Sequence, residues 1–371
     1  MWMYALFGPA AGSLCDRLPR RMLVLGGLIF WSLTTACTAL SRNYAELVFF
    51  RALGGLGEAF YFPASMSLIS DYHAVDTRSR AMSIHQSSVY IGSIAGGTLS
   101  GLASQRTGDW RPAFVLFGAL GIMLGCILWS VLREPPRGMS DNFVMTGHPR
   151  RQAVIGLLKD VLGNRQSLLL IAVFMGANFV AVIFLAWMPS FLYRKFHLDL
   201  AMSGFSGTVH LSPASLLGVL CGGALADGLV KRQIRLGRRT QGVRMLTQSL
   251  GLLCGIPFLF LAGSGVTLAT VIVAMIGFGF FKGIYDANIF ASLYDVVPIE
   301  RRGAAAGTMN SFGWIGGGAA PVAIALASAR YGMSACISAT AVIYLVFGLL
   351  LFWNACSLIE RRPTAKAAAT I

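Results

Sequence analysis

Apolar residues run along the chain in eleven blocks separated by short polar stretches: residues 1–14, 22–41, 44–70, 81–104, 112–132, 167–193, 201–227, 245–263, 267–293, 304–329 and 333–357. The first is short; the others are about 20 residues or longer, the length at which an α-helix crosses a bilayer core. A barrel strand needs only about 10 alternating residues, so block length points to helices. A helix also satisfies its backbone within one segment, as lipid requires. The pattern predicts an all-α membrane protein of eleven spans.

Composition agrees: 56% of residues are hydrophobic, 12% are charged, and mean hydropathy is +0.67. A soluble chain carries about twice that charged fraction. The opening MWMYALFGPAAG lacks the basic leader of a cleavable signal. The net charge of +15 reports topology. Loops starting at residues 15, 71, 133, 228 and 294, with the C-terminal tail, hold 22 of the 30 Lys and Arg. The alternate loops hold only Arg42, Arg106, Arg111, Arg194, Lys195 and Arg330. This bias places the first set of loops and the C-terminus in the cytoplasm. Nucleic-acid binding is excluded, since no basic patch is interleaved with aromatics outside the blocks. The seven cysteines lie in or beside apolar blocks without a C-x-x-C pair, which favours packing over metal or disulfide chemistry.

Two charged hinges repeat. GSLCDRLPRR (12–21) returns as GALADGLVKR (223–232), aligning Gly12 with Gly223, Asp16 with Asp227, Arg20 with Lys231 and Arg21 with Arg232. Further on, Arg21-Met22 matches Arg244-Met245, and YHAVDTRSRA (72–81), after Asp71, matches VVPIERRGAA (296–305), after Asp295. The offset grows from 211 to about 224 through an inserted basic loop, QIRLGRRTQGVR (233–244). In the later register Glu58 falls on Lys282 and Tyr61 on Tyr285. The chain therefore divides into an N-terminal half (1–132), a cytoplasmic linker (133–166) and a C-terminal half (167–371). Within the linker, Val154, Leu157, Leu158 and Val161 share one face of an amphipathic helix expected to lie on the cytoplasmic surface. Duplicated helical halves joined in the cytoplasm are the architecture of many secondary transporters, with the site near midplane at the repeat interface.

The G-x-L-x-D-R-x-x-R-R pattern of 12–21 resembles the signature that the major facilitator superfamily carries between its second and third helices. Residues 223–232 resemble its weaker copy between helices eight and nine. The resemblance runs the whole chain and implies the major facilitator fold, two pseudo-symmetric six-helix halves working as a monomer by alternating access. In that register the blocks are helices two to twelve, 11 of 12, and the first transmembrane helix is missing. Gly12 and Gly223 then allow close helix approach, while Asp16 and Asp227 can cap a neighbouring helix. Arg17, Arg20, Arg21, Lys231 and Arg232 can hold carboxylates or helix C-termini across the cytoplasmic seam, in contacts that form when that gate shuts. Simple anchoring by positive charge is the other reading of these residues.

Charge at membrane depth is costly and marks wet cavities. Arg51 and Glu58 stand two helical turns apart, about 10 Å, on one face. Lys282 and Asp286 share a face four residues apart. Either these are buried pairs that fix packing, or they bind substrate and proton. Arg-x6-Glu, with GEAFYFPASMSLISDY and DWRPAF…LREPPRG, is similar to anion:cation symporters and to bacterial Spinster-like transporters. That resemblance implies that Glu58 carries the proton and that Arg51 is its partner or a carboxylate clamp. Asn178, His210 and Asn288 are polar at depth and serve as ligands or interhelical hydrogen bonds; Tyr61 and Tyr285 flank a substrate or pack. No cofactor, metal site or intramembrane enzyme is expected, because His, Cys and carboxylates do not cluster. The expected function is proton-coupled symport of a small organic anion in a bacterial inner (plasma) membrane. The alternatives are a Spinster-like (lyso)lipid transporter or a non-transporting truncated remnant.

Overall fold

A computed structural model describes residues 1–141 and 154–360, and the regular structure there is helical. Linker residues 142–153 and the basic tail from 361 lie outside the described residues. Five helices precede the linker: α1 (Trp2–Arg17), α2 (Arg20–Thr38), α3 (Tyr44–Tyr72), α4 (Arg78–Thr107) and α5 (Arg111–Val131). The linker supplies α6 (Val154–Gly163). After it come α7 (Arg165–Phe196), α8 (Leu200–Val209), α9 (Leu211–Arg235), α10 (Val243–Ser264), α11 (Leu268–Asp286), α12 (Ile289–Tyr294), α13 (Arg302–Tyr331) and α14 (Met333–Glu360). Every apolar block falls on helix. Among the described residues, eight helices are long and apolar enough to cross a membrane.

Two blocks expected to be single helices are broken. The 201–227 block splits at His210 into α8 and α9. Pro213 has no N–H to give the Val209 carbonyl, and its ring crowds that carbonyl, so the helix cannot run through. The 267–293 block splits at Ala287 and Asn288, where Asn288 has φ −115° and ψ 2°. Its side-chain amide donates to the Ile284 carbonyl (3.4 Å) and to Gly222 of α9 (3.3 Å). The side chain thus takes the acceptor that its own backbone N–H would use in a continuous helix.

The hinges also end differently. Pro19 forces Leu18 into an extended conformation (φ −94°, ψ 160°) and stops α1 at Arg17. At the equivalent place α9 has Val230, and it continues to Arg235, eight residues past the predicted end of its block. Arg232 and Arg235 in its last turn suit the negative pole of the helix dipole.

Close contacts group the described chain into two compact units. One comprises Met1–Tyr72, Ile91–Ile183 and Val297–Ala323; the other comprises His73–Tyr90, Phe184–Val296 and the residues from Ile324 onward. Each unit draws on both sequence repeats. In the first, α2 packs on α3 and α5, and α1 packs on α3. Tyr4, Ala11 and Ala59 form a buried core there with Phe7, Phe60, Phe62 and Trp314. Leu157 and Val161 of α6 are buried, whereas Val154 is exposed, so the expected apolar face is only partly covered by protein.

In the second unit α11 packs on α9 and α10, and α10 on α14. Helices α9 and α11 meet through glycines: a Cβ on Gly218 would lie 2.0 Å from the Phe280 carbonyl, and one on Gly283 would lie 2.3 Å from that of Ser215. Such contact between backbones lets α11 carry charged residues close to its neighbours.

Candidate functional site

The first hinge closes a latch within the first unit. Asp16, buried in the last turn of α1, accepts the N–H groups of Gly303 and Ala304, both at 2.8 Å. These belong to the first turn of α13, whose N–H groups lack intrahelical partners and carry the positive end of the dipole. Glycine makes the approach possible: a Cβ on Gly12 would lie 2.3 Å from the Gly303 carbonyl, and one on Gly307 would lie 2.2 Å from that of Gly8. Arg20 opens α2 and pairs with Asp71 at the end of α3. Its Nε reaches Glu134 at 3.0 Å. Arg302 reaches Asp71 (3.9 Å) and Asp141 (2.6 Å).

The second hinge does the same within the second unit. Asp227, fully buried, accepts the N–H groups of Ser79 (3.1 Å) and Arg80 (2.8 Å) in the first turn of α4. Arg244, equally buried, donates to the Ser79 hydroxyl at 2.6 Å and to both oxygens of Asp295 at 2.8 and 2.6 Å. It also reaches Asp227 at 3.4 Å and the Val75 carbonyl. Arg78 lies 4.0 Å from Asp295. In the repeat register Ser79 and Arg80 are the equivalents of Gly303 and Ala304. Each hinge aspartate therefore caps the helix that the opposite repeat supplies.

The predicted basic residues divide. Arg20 holds carboxylates, and Lys231 lies 3.8 Å from Asp76. Arg21 gives its backbone N–H to Glu134 (2.6 Å) and its guanidinium to the Trp129 carbonyl. Arg17 is half-buried in the last turn of α1, and Arg232 is exposed. The C-terminus of α1 is held from the linker, where Arg137 donates to the Cys15 and Leu18 carbonyls at 3.0 and 2.9 Å.

At membrane depth, Arg51 is exposed, with its guanidinium 5.9 Å from the centre of the Phe114 ring. Glu58 is half-buried beside Ala59 of the aromatic core. Neither makes an ion pair among the described residues. Tyr61 tilts against Trp31 with ring centres 6.4 Å apart. Asn178 faces Gly313, where a Cβ would lie 3.1 Å from its amide nitrogen. His210 bonds the Ser206 carbonyl at 2.9 Å, and Asn288 ties α11 to α9 as described above.

Lys282 and Asp286 do come together, as an ion pair on α11. Tyr90 of α4 completes the group: it donates to Asp286, and Lys282 donates to its hydroxyl at 3.0 Å. Tyr285 is buried, its hydroxyl without a hydrogen-bond partner among the described residues.

Sequence reasoning missed Tyr90, Arg244, Glu134 and Arg137 as members of these groups. Arg244 was legible as the repeat partner of Arg21, and Asp71 and Asp295 stood in register. Tyr90 carries no local signal, because an aromatic in an apolar helix reads as packing.

Two duplicated sets of helices, with hinge aspartates that cap one another's helices, define the class as a two-repeat helical membrane protein. The chain belongs to the Major Facilitator Superfamily, whose family model matches residues 1–279. It is 31% identical over 339 residues to protein spinster homolog 1 of Mus musculus, a match covering 88% of this chain and 64% of that protein. The chain thus spans under two-thirds of the length of that relative. It is also 26% identical over 317 residues to a probable L-galactonate transporter of Escherichia coli (83% of this chain, 68% of the relative).

Among solved structures it resembles the human organic anion transporter MFSD10, with a TM-score of 0.69 at 18% identity, covering 94% of this chain and 81% of that one. It also resembles a bacterial homologue of the human lysosomal transporter Spinster in an inward-facing, unoccupied conformation. There the TM-score is 0.65 at 19% identity, covering 98% and 88%. These two likenesses establish the shared fold.

Proposed function

We propose that this chain moves a small organic anion together with a proton by alternating access, as a monomer in a plasma membrane with its C-terminus in the cytoplasm. The observation that carries this reading is the pair Arg51 and Glu58. An arginine and a glutamate stand two turns apart on α3, and neither has an ion-pair partner among the described residues. A fixed charge at that depth is expensive. A cation there offers a clamp for a carboxylate, and a half-buried carboxylate offers a group that can take up and release a proton.

Relatives named for L-galactonate and for galactarate and D-glucarate support a sugar acid as the cargo. The two hinge latches supply the alternating gate, since helix capping and dipole contacts form or break as whole helices move.

Purified protein in liposomes, given an inward proton gradient and D-glucarate or L-galactonate, is expected to accumulate the anion. Glu58→Gln is expected to reduce accumulation at least tenfold while leaving anion exchange intact. Undiminished accumulation by that variant refutes the proton assignment. A second reading is a Spinster-like transporter whose cargo is a (lyso)lipid, with which the identity to mouse spinster homolog 1 is compatible. Flux of a lysolipid in the same liposomes, without sugar-acid uptake, establishes that reading instead.

A further inference from the structure

Lys282, Asp286 and Tyr90 form a closed ring. The ammonium donates to the carboxylate one turn further along α11 and to the Tyr90 oxygen at 3.0 Å, and the Tyr90 hydroxyl donates to the same carboxylate. The ammonium also lies 5.4 Å from the centre of the Tyr90 ring. An ion pair four residues apart on one helix joins nothing to anything else; Tyr90 alone carries the link to α4. Two more phenols belong to this neighbourhood. The ring of Tyr344 on α14 packs on Phe278, one turn before Lys282, at 5.7 Å. Tyr285 adjoins Asp286. Tyr344 and Tyr285 are each 1% exposed, and neither hydroxyl has a hydrogen-bond partner among the described residues. Buried hydroxyls left unpaired cost free energy. A site whose polar groups re-pair when something else enters accounts for them.

We propose that this ring is a self-occupied anion site, in which Asp286 stands where a carboxylate of the cargo binds Lys282 and leaves that place by taking up a proton. The inference rests on the transport reading above and deepens it. The argument is one of charge. With Asp286 on Lys282 the site is neutral. A cargo carboxylate added beside an ionised Asp286 leaves one uncompensated negative charge in the interior, which is strongly unfavourable. Protonation of Asp286 restores neutrality, so the site takes one proton for each carboxylate it accepts. The released acid becomes a donor, for which the Tyr344 and Tyr285 oxygens are unused acceptors.

Lys282 on its own helix and Tyr90 from α4 bond Asp286, Tyr285 adjoins it in sequence, and Tyr344 from α14 packs on Phe278 one turn before Lys282. Helices α9 and α10 meet α11 there through Ser215, Gly218, Gly222, Gly251 and Gly255, which do not titrate. Because binding takes up a proton, affinity rises as pH falls, by about tenfold per unit while Asp286 is ionised in the empty site.

The test is calorimetric titration of the whole purified chain with D-glucarate between pH 6 and 8, in buffers of different ionisation heat that count protons. Asp286→Asn is expected to take up one proton fewer than the wild type and to lose that tenfold slope. Lys282→Gln with Asp286→Asn keeps the site neutral, which guards against misfolding from a lone charge; it is expected to bind at least tenfold more weakly at every pH. Asp286→Asn with wild-type proton uptake, or the double variant with wild-type affinity, overturns this inference alone. A wild type that binds no sugar acid overturns the transport reading, and this inference with it.

Discussion

Replacing Arg244 by alanine is expected to cost the protein about 3–5 kcal/mol, the usual loss when a buried charge is stripped of its partner. Arg244 is fully buried and donates to the Ser79 hydroxyl, the Val75 carbonyl, Asp227 and both oxygens of Asp295. Without it, among the described residues, the Asp295 carboxylate keeps Arg78, at 4.0 Å, and Asp227 keeps its two helix N–H groups. Lysine is not an adequate substitute, since an ammonium cannot span two carboxylates, a hydroxyl and a carbonyl at once. Arg244→Lys should therefore recover only part of the loss. Thermal unfolding of the detergent-solubilised chain measures this, with exposed Arg232→Ala as the control expected to stay within about 0.5 kcal/mol of the wild type. An unchanged midpoint in Arg244→Ala would show that the second latch contributes no stability.

Gly307→Leu should open the first latch. The three atoms nearest a Cβ at this position all belong to the backbone of α1: the Gly8 carbonyl at 2.2 Å, Gly12 Cα at 2.9 Å and Gly12 N at 3.0 Å. No side chain can turn aside, so α1 and α13 must separate, and Asp16 then loses the Gly303 and Ala304 N–H groups it caps. Overpacking of this kind costs about 1–3 kcal/mol. The specific signature is hydrogen exchange: the Gly303 and Ala304 amides should exchange at least tenfold faster than in the wild type. Gly26→Ala, with no heavy atom within 4 Å of the new Cβ, should leave them unchanged. Protection at those amides that survives Gly307→Leu would mean that the cap does not depend on the close approach.

Much of this architecture was legible because the signals are local. Each block fell on helix, two of them in two pieces, since an apolar run long enough to span lipid satisfies its backbone within the segment. The His210 break was written in Pro213, three residues on, although block length alone hid it. The Asn288 break was less visible, because it depends on a side chain choosing the Ile284 and Gly222 carbonyls. Asp16 and Asp227 were readable as caps because a conspicuous carboxylate recurred at the end of an apolar run. Lys282 and Asp286 were readable as a pair from their spacing on one helix.

The linear order of residues determines the helices, their duplication, the capping chemistry of the hinges and the few charges placed at depth. All of these depend on neighbours within a turn or on composition. Tertiary packing alone decides the partners. Every helix N-terminus offers the same unpaired N–H groups, so nothing local tells Asp16 to cap α13 or Asp227 to cap α4. Close glycine contacts select those ends, Gly12 and Gly307 against backbone at the first and Gly223 against Ser83 and the Ser79 carbonyl at the second. The partner of Asp295 was decided the same way. At the first hinge Pro19 turns the chain so that Arg20 opens α2 and meets Asp71, whereas at the second the helix runs on and carries Lys231 towards Asp76. Asp295 is left to Arg244, at the end of the inserted loop. Tyr90 likewise joins Lys282 and Asp286 across 192 and 196 residues of chain, distances over which only packing decides which side chains meet.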